Sequence, residues 1–142
     1  TLILNALLQS PYKILATKAN ADSGGTLINE VLKSYAKKYP QNIVLCASLG
    51  RVLYLSSLNL ASFVIGNSSS GLGEAPILRT PTINIGDRQK GRIKADSVID
   101  CKPSCKEILQ SCEYAMSGPL QAKTLHKKLS LTPLAMAQLH SK

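Results

Sequence analysis

The spacing of apolar residues changes several times along the chain, and each change marks an element. Leu2 to Leu8 is apolar on nearly every side, so a helix there belongs in a core or against a neighbour. Tyr12 to Ala19 is strand-like, and Asp22-Ser23-Gly24-Gly25 is a turn. From Thr26 to about Tyr39, Leu27, Val31, Tyr35 and Tyr39, with Ile28 and Leu32, recur at helical spacing opposite Glu30, Lys33, Lys37 and Lys38. Pro40 stops that helix. Asn42 to Ser48 is almost continuously apolar, as expected of a strand covered on both faces.

The alternation continues. Val52 to Leu60 suits a helix and Ser62 to Asn67 a short buried strand. The loop Ser68 to Gly71 opens a short helix near Leu72 to Leu78, and Pro81 to Ile85 and Ser97 to Asp100 read as strands. Pro103 fits the first turn of a helix reaching about Met116. Further helices are expected from Gly118-Pro119 and over Pro133 to His140. Strands separated by helices imply βαβ units, a parallel sheet and right-handed crossovers. The expected class is a three-layer α/β/α, Rossmann-like sandwich forming one domain over residues 1–142.

Composition narrows the picture. Of 142 residues, 44% are hydrophobic and 18% charged, which excludes a disordered chain and supplies one core. No apolar run reaches the ~18 residues a membrane span needs. The N-terminus lacks a basic segment, a cleavage site and an initiator Met, so a piece cut from a longer chain is expected. The four cysteines have no C-x-x-C spacing and His126 and His140 lie far downstream, which argues against zinc and leaves no metal or cofactor expected. Cys105, Leu109, Cys112 and Met116 share a helical face, reading as buried thiols in a reduced, cytoplasmic compartment. The net charge of +9 invites a polyanion. Its dense spots, Arg88 to Lys94 and Lys123 to Lys128, are not interleaved with aromatics, so a solvated surface accounts for them better than nucleic acid.

Ligands of open parallel sheets bind beyond the carboxyl ends of the strands. Three segments fall on that edge: Asn20 to Gly25, Asn67 to Glu74 and Gly86 to Arg92. In the middle one a buried strand runs into three serines and two glycines and then a helix. Unpaired N–H groups at that helix start would suit a phosphate, whereas ordinary capping by Ser70 would also account for the serines. Glu74, one residue too late for a capping box, could accept ribose hydroxyls or merely offset the helix dipole. Familiar nucleotide motifs fail: Pro76 replaces the third glycine after Gly71-x-Gly73, and Arg92-Ile93 replaces Lys-Ser/Thr after Gly86-x₄-Gly91. Arg88 is a fork-shaped phosphate partner just past a strand end. Asp22, Asp87, Asp96 and Asp100 have no paired-carboxylate spacing, no nucleophile elbow surrounds Ser68 to Ser70, and the histidines lie in the Lys-rich tail. The residues point to holding an anionic nucleotide and show no catalytic set.

Three ordered blocks carry a resemblance. Ile65-Gly66-Asn67-Ser68-Ser69-Ser70-Gly71-x-x-Glu74-Ala75-Pro76, Thr80-Pro81-Thr82-Ile83-Asn84-Ile85-Gly86-Asp87-Arg88-Gln89-x-Gly91-Arg92 and Asn20-Ala21-Asp22-Ser23-Gly24-Gly25 resemble the UDP-N-acetylglucosamine 2-epimerase family over about residues 12 to 101. They are nearest its hydrolysing branch, which releases UDP and N-acetylmannosamine for sialic-acid-type sugars. The resemblance implies a glycosyltransferase-B arrangement of two Rossmann-like domains, of which this chain is the C-terminal, UDP-holding half. Ser68 and Ser69 would bind the diphosphate, with Gly71 in the same loop. Glu74 would take the ribose, Arg88 would sit near the phosphates, Asn20 would line the pocket, and the backbone at Ser48 and Leu49 would face uracil. The implied partners are UDP or UDP-N-acetylglucosamine, the N-terminal domain and, compatibly, further copies of the chain. The acid/base carboxylates and catalytic histidine would precede Thr1, leaving this chain alone inactive. A glycosyltransferase half and a basic nucleic-acid-binding module are the alternatives from other classes.

Overall fold

A computed structural model describes residues 1–19, 24–117, 120 and 134–138. Among these described residues, five helices and six strands run in the order α1 (Leu2–Leu8), β1 (Lys13–Thr17), α2 (Gly25–Lys38), β2 (Ile43–Cys46), α3 (Gly50–Leu60), β3 (Phe63–Gly66), α4 (Ser70–Ile77), β4 (Thr82–Ile85), β5 (Val98–Cys101), α5 (Cys105–Ala115) and β6 (Leu134–Gln138). The strands form one all-parallel sheet in the order β2-β1-β6-β3-β4-β5, a three-layer Rossmann-like α/β architecture. None of the described helices is long and apolar enough to cross a membrane.

Strand alternation divides the core. Phe63 and Ile65 of β3 join Ile14, Ala16, Ile83, Ala135 and Ala137 on one face, under α1, α2 and α5. Val64 and Met136 point to the other face, where Leu58 of α3 and Ala75 of α4 meet them. Helix α1, apolar on most sides, buries Ile3, Leu4, Ala6 and Leu7 in the larger core and packs beside α5. Tyr12 meets Phe63 edge to face, with ring centroids 5.2 Å apart.

The largest departure from the sequence pattern is at the end of the chain. Pro133 to His140 was expected to be helical, yet Leu134–Gln138 is a strand at the centre of the sheet. Leu, Ala, Met and Gln favour helix intrinsically. Here they pair on both sides: Leu134 to Gln138 with Lys13 to Thr17 in register, and Ala135 to Gln138 with Phe63 to Gly66. The non-local ladders and the burial of Ala135, Met136 and Ala137 outweigh local propensity. Contact with β3 is close: a Cβ on Gly66 would lie 1.7 Å from the carbonyl oxygen of Gln138, so only glycine fits there.

Other corrections are smaller. β2 is an edge strand, not one covered on both faces, and Val44 is 59% exposed because α3 and α4 lie over β6 and β3 instead. In α2, Leu27 is 72% exposed. The face toward the sheet is Ile28, Val31, Leu32, Tyr35 and Tyr39, and Leu27 lies about 100° around the helix from Ile28. Pro103 precedes the cap of α5, whose N-cap is Ser104 with its hydroxyl accepting from the Glu107 N–H at 3.2 Å. The helix expected from Gly118-Pro119 lies almost wholly outside the described residues, as do Lys123 to Lys128 and both histidines.

Two expectations follow. Helix α4 closes with Thr80 N–H on Ala75 O and Arg79 N–H on Pro76 O, a Schellman ending whose left-handed position holds Arg79 (φ 56°) where glycine is usual. Arg79→Gly should therefore raise stability by about 1 kcal/mol, read as a higher urea midpoint at unchanged slope. Secondly, burial pushes the Cys112 thiol up to about 12, with charges on Cys101 and Glu113 adding to it. A neutral thiol in the folded state and an ordinary one in the unfolded state mean full stability below ~8.5 and a loss as pH rises toward 12. Denaturant unfolding across that window should show the decline, and Cys112→Ala should make it shallower.

Candidate functional site

The carboxyl ends of β1, β2, β6 and β3 surround a cleft of about 450 Å³. Sequential strands run outward in opposite directions on either side of β6, so the cleft lies at the switch point where such sheets take ligands. Thr17 and Lys18 line it from β1, Ala47 to Arg51 from the loop after β2 and the start of α3, and Gln138 from β6. Tyr54 of α3, Ser68 and Glu74 complete the wall. Lys18 and Arg51 supply positive charge, and the starts of α3 and α4 both reach the cleft, so their dipoles add in the same sense.

The serine loop is built by its own hydrogen bonds. Ser69 is the N-cap of α4, not Ser70, and makes no side-chain cap bond. Ser68 Oγ accepts from the Ser70 N–H at 3.3 Å, Ser68 O accepts from Gly71 N–H at 3.2 Å, and Ser69 O accepts from Leu72 N–H at 3.0 Å. The N–H groups expected to be unpaired are therefore drawn into tight local turns. What the helix start offers an anion is its dipole and the hydroxyl protons of Ser68 and Ser69.

Glu74 is held by a chain of side chains. Gln138 Nε2 donates to Tyr54 OH at 2.5 Å, Tyr54 OH contacts Ser70 Oγ, and Ser70 Oγ donates to Glu74 Oε2. From the other side, the buried Gln89 donates from Nε2 to Asn67 O at 2.9 Å, tying the loop after β4 to the serine loop. Asn29 of α2 pins the exit of β1, accepting from Ala19 N–H at 2.9 Å and donating to Ala19 O at 3.1 Å.

Of the residues singled out from sequence, Ser68, Glu74 and Leu49 meet at this cleft, with Ser48 beside them. Ser69 is exposed at the helix start. Gly71 faces the sheet, where a Cβ would lie 2.8 Å from Thr82 Cγ2; its smallness lets α4 approach β4. Arg88 is exposed on the loop after β4 and does not line the cleft. Neighbours on that loop, Gly86, Asp87, Lys90 and Lys94, border a separate hollow of about 550 Å³, in which Lys94 pairs with Asp100 at 2.7 Å. The Lys94 ammonium, then the Asn84 amide, hold the Asp100 carboxyl below its usual range. Asn20 lies outside the described residues. Sequence reasoning missed Tyr54, Gln138, Gln89 and Asn29. The four cysteines are free thiols, and no group of three or more potential metal ligands forms among the described residues.

Comparison with known proteins identifies a family. Residues 1–131 match the UDP-N-acetylglucosamine 2-epimerase family. The chain is 51% identical over 87 residues to a GDP/UDP-N,N'-diacetylbacillosamine 2-epimerase (hydrolyzing) of Campylobacter jejuni, covering 61% of this chain and 23% of the relative. It is 45% identical over 95 residues to polysialic acid biosynthesis protein P7 of Escherichia coli, covering 67% and 24%. A UDP-N-acetylglucosamine 2-epimerase of Neisseria meningitidis is 32% identical over 113 residues, covering 79% and 29%. The chain thus spans about a quarter of the length of these relatives. With the family matched over nearly its whole length and a parallel sheet presenting the serine loop and Glu74 at the switch point, the chain belongs to the UDP-N-acetylglucosamine 2-epimerase family.

Proposed function

We propose that this chain is the UDP-binding, C-terminal domain of a hydrolysing UDP-N-acetylglucosamine 2-epimerase, working in the cytoplasm on sugars of the sialic-acid type. The observation that carries the reading is the convergence of Ser68, Glu74, Lys18 and Arg51 on one cleft at the carboxyl edge of the sheet. The hydroxyl of Ser68 and the helix dipole suit a diphosphate, Lys18 and Arg51 suit its charge, and Glu74 suits a ribose. Ser70 already donates to one oxygen of Glu74, so the carboxylate receives a ribose hydroxyl on the other. Relatives whose names include "hydrolyzing" support the branch.

In such a reaction a base takes the proton from the sugar carbon next to the anomeric one. The electrons of that C–H bond form the C=C bond as the anomeric C–O bond to the diphosphate breaks. UDP leaves with the C–O electron pair, and water then adds across the double bond. This domain's part is to hold the departing diphosphate and stabilise its growing charge with donors already in place. Glu74, the one carboxylate lining the cleft among the described residues, is engaged in binding. The proton-transfer groups are then assigned to a partner Rossmann-like domain facing it, completing the glycosyltransferase-B arrangement.

Two experiments test the reading, a titration and a turnover assay. Chemical-shift titration of the 142-residue chain should show UDP binding near ~1 mM, mapped to residues 67–74. Glu74→Gln should weaken it about tenfold and reduce discrimination against 2′-deoxy-UDP, since a charge-assisted hydrogen bond is worth ~1.5–3 kcal/mol. Ser68→Ala should narrow the preference for UDP over uridine. Shifts confined to Lys123 to Lys128, with the serine loop silent, would overturn the assignment. The chain alone should not turn over UDP-N-acetylglucosamine; turnover abolished by Glu74→Ala would place catalysis within these residues instead.

A further inference from the structure

Hydrogen-bond accounting in the cleft singles out Gln138. The residue is 4% exposed yet lines the cleft, and its Oε1 is buried with no hydrogen-bond partner among the described residues. The orientation of the amide follows from the rest of the chain of side chains. A Glu74 carboxylate can only accept, so Ser70 donates to it; Ser70 must then accept from Tyr54, and Tyr54 from Gln138. Only Nε2 can supply that last proton. Turning the amide over would leave two acceptors facing along the chain and require a proton on Glu74. The direction of all three bonds is thus set by the charge at one end, and Oε1 is left over at the other.

A buried carbonyl oxygen without a partner costs stability unless something completes it. We infer that Gln138 is a specificity residue of the cleft, its Oε1 accepting a hydrogen bond from a ribose hydroxyl of the bound nucleotide. The inference rests on the UDP-binding reading above and deepens it. A ribose presents two vicinal hydroxyl donors, while Ser70 occupies one of the two Glu74 oxygens. Glu74 and Gln138 are the two acceptors that one hydrogen-bonded chain joins, and both line the same cleft. Together they accept one proton each from the diol. Tyr54 is a positioning residue: by accepting from Nε2 it fixes the amide so that the oxygen, not the NH₂, is the unpaired atom.

The test is a titration of the 142-residue chain and its Gln138→Met and Tyr54→Phe variants with UDP, 2′-deoxy-UDP, 3′-deoxy-UDP and N3-methyl-UDP. Met keeps the side-chain length and removes the acceptor, and retention of the amide spectrum shows that the sheet is intact. UDP should bind Gln138→Met about tenfold more weakly than wild type. One deoxy analogue should bind wild type and Gln138→Met equally, because the hydroxyl that Gln138 reads is already missing. The other should lose affinity in the Met variant as UDP does. Tyr54→Phe frees the amide to turn over, and its preference for UDP over the first analogue should shrink. If Gln138→Met is disordered, Tyr54→Phe alone decides, by that same preference. Equal UDP binding by all three proteins would overturn the role of Gln138 and leave the UDP site standing. A loss of discrimination seen only with N3-methyl-UDP would move the contact to the base and overturn the ribose assignment. No binding of any uridine nucleotide by wild type would overturn both readings.

Discussion

The ladder from Leu134 to Gln138 is hydrogen-bonded on both edges, to β1 on one side and β3 on the other, and everything else in the sheet hangs from it. Without it, β2 and β1 would form one ribbon and β3, β4 and β5 another, with no backbone bond between them. Its burial explains why both faces of its short side chains are small or flexible: Ala135 and Ala137 fit beneath the helices of the larger core, and Met136 fills the space against Leu58 and Ala75. The same ladder fixes Gly66, because the Gln138 carbonyl occupies the space a side chain would need.

That constraint reaches the cleft directly. The backbone of Gln138 accepts from the Asn67 N–H at 3.2 Å, just where β3 turns into the serine loop, while its side chain reaches Tyr54. One residue therefore sets both the take-off point of the loop and the orientation of the polar chain ending at Glu74. Gln89 secures the same loop from the opposite side through Asn67 O. The cleft is held at its rim by side-chain amides, each buried and each spending its NH₂ on the framework.

How much of this was legible along the chain depends on whether the information was local. Helix α2, strand β3 and the Ser68 to Gly71 turn announce themselves by period and turn chemistry within a dozen residues, and Ser68 and Glu74 stand out because a strand, a glycine-rich turn and a helix follow one another. Leu49 came from the family pattern alone. Gly71 and Arg88 sit in the right blocks, but the fold turns one toward Thr82 and leaves the other on an exposed loop. Tyr54 and Gln138 carried no signal: a Tyr at helical spacing looks like core, and a Gln among Leu, Ala and Met looks like helix. Their meaning arises only when α3 and β6 are brought together. The exposure of Val44 was equally hidden, since an apolar run does not say which strand ends up at an edge.

The position of β6 also bears on how the protein comes into being. Lys13 pairs with Leu134, so the middle of the sheet is furnished by residues synthesised long after the strands on either side of it. A ribosome releasing this chain in order would expose β1 and β3 with their inner edges bare until the closing segment emerged. Closing so long a loop of sequence is entropically costly before any contact rewards it, so the docking of β6 is expected to be a late step. During that interval the bare edges are open to any other extended chain, and occupancy of them by the right segment becomes a matter of timing as much as of energy.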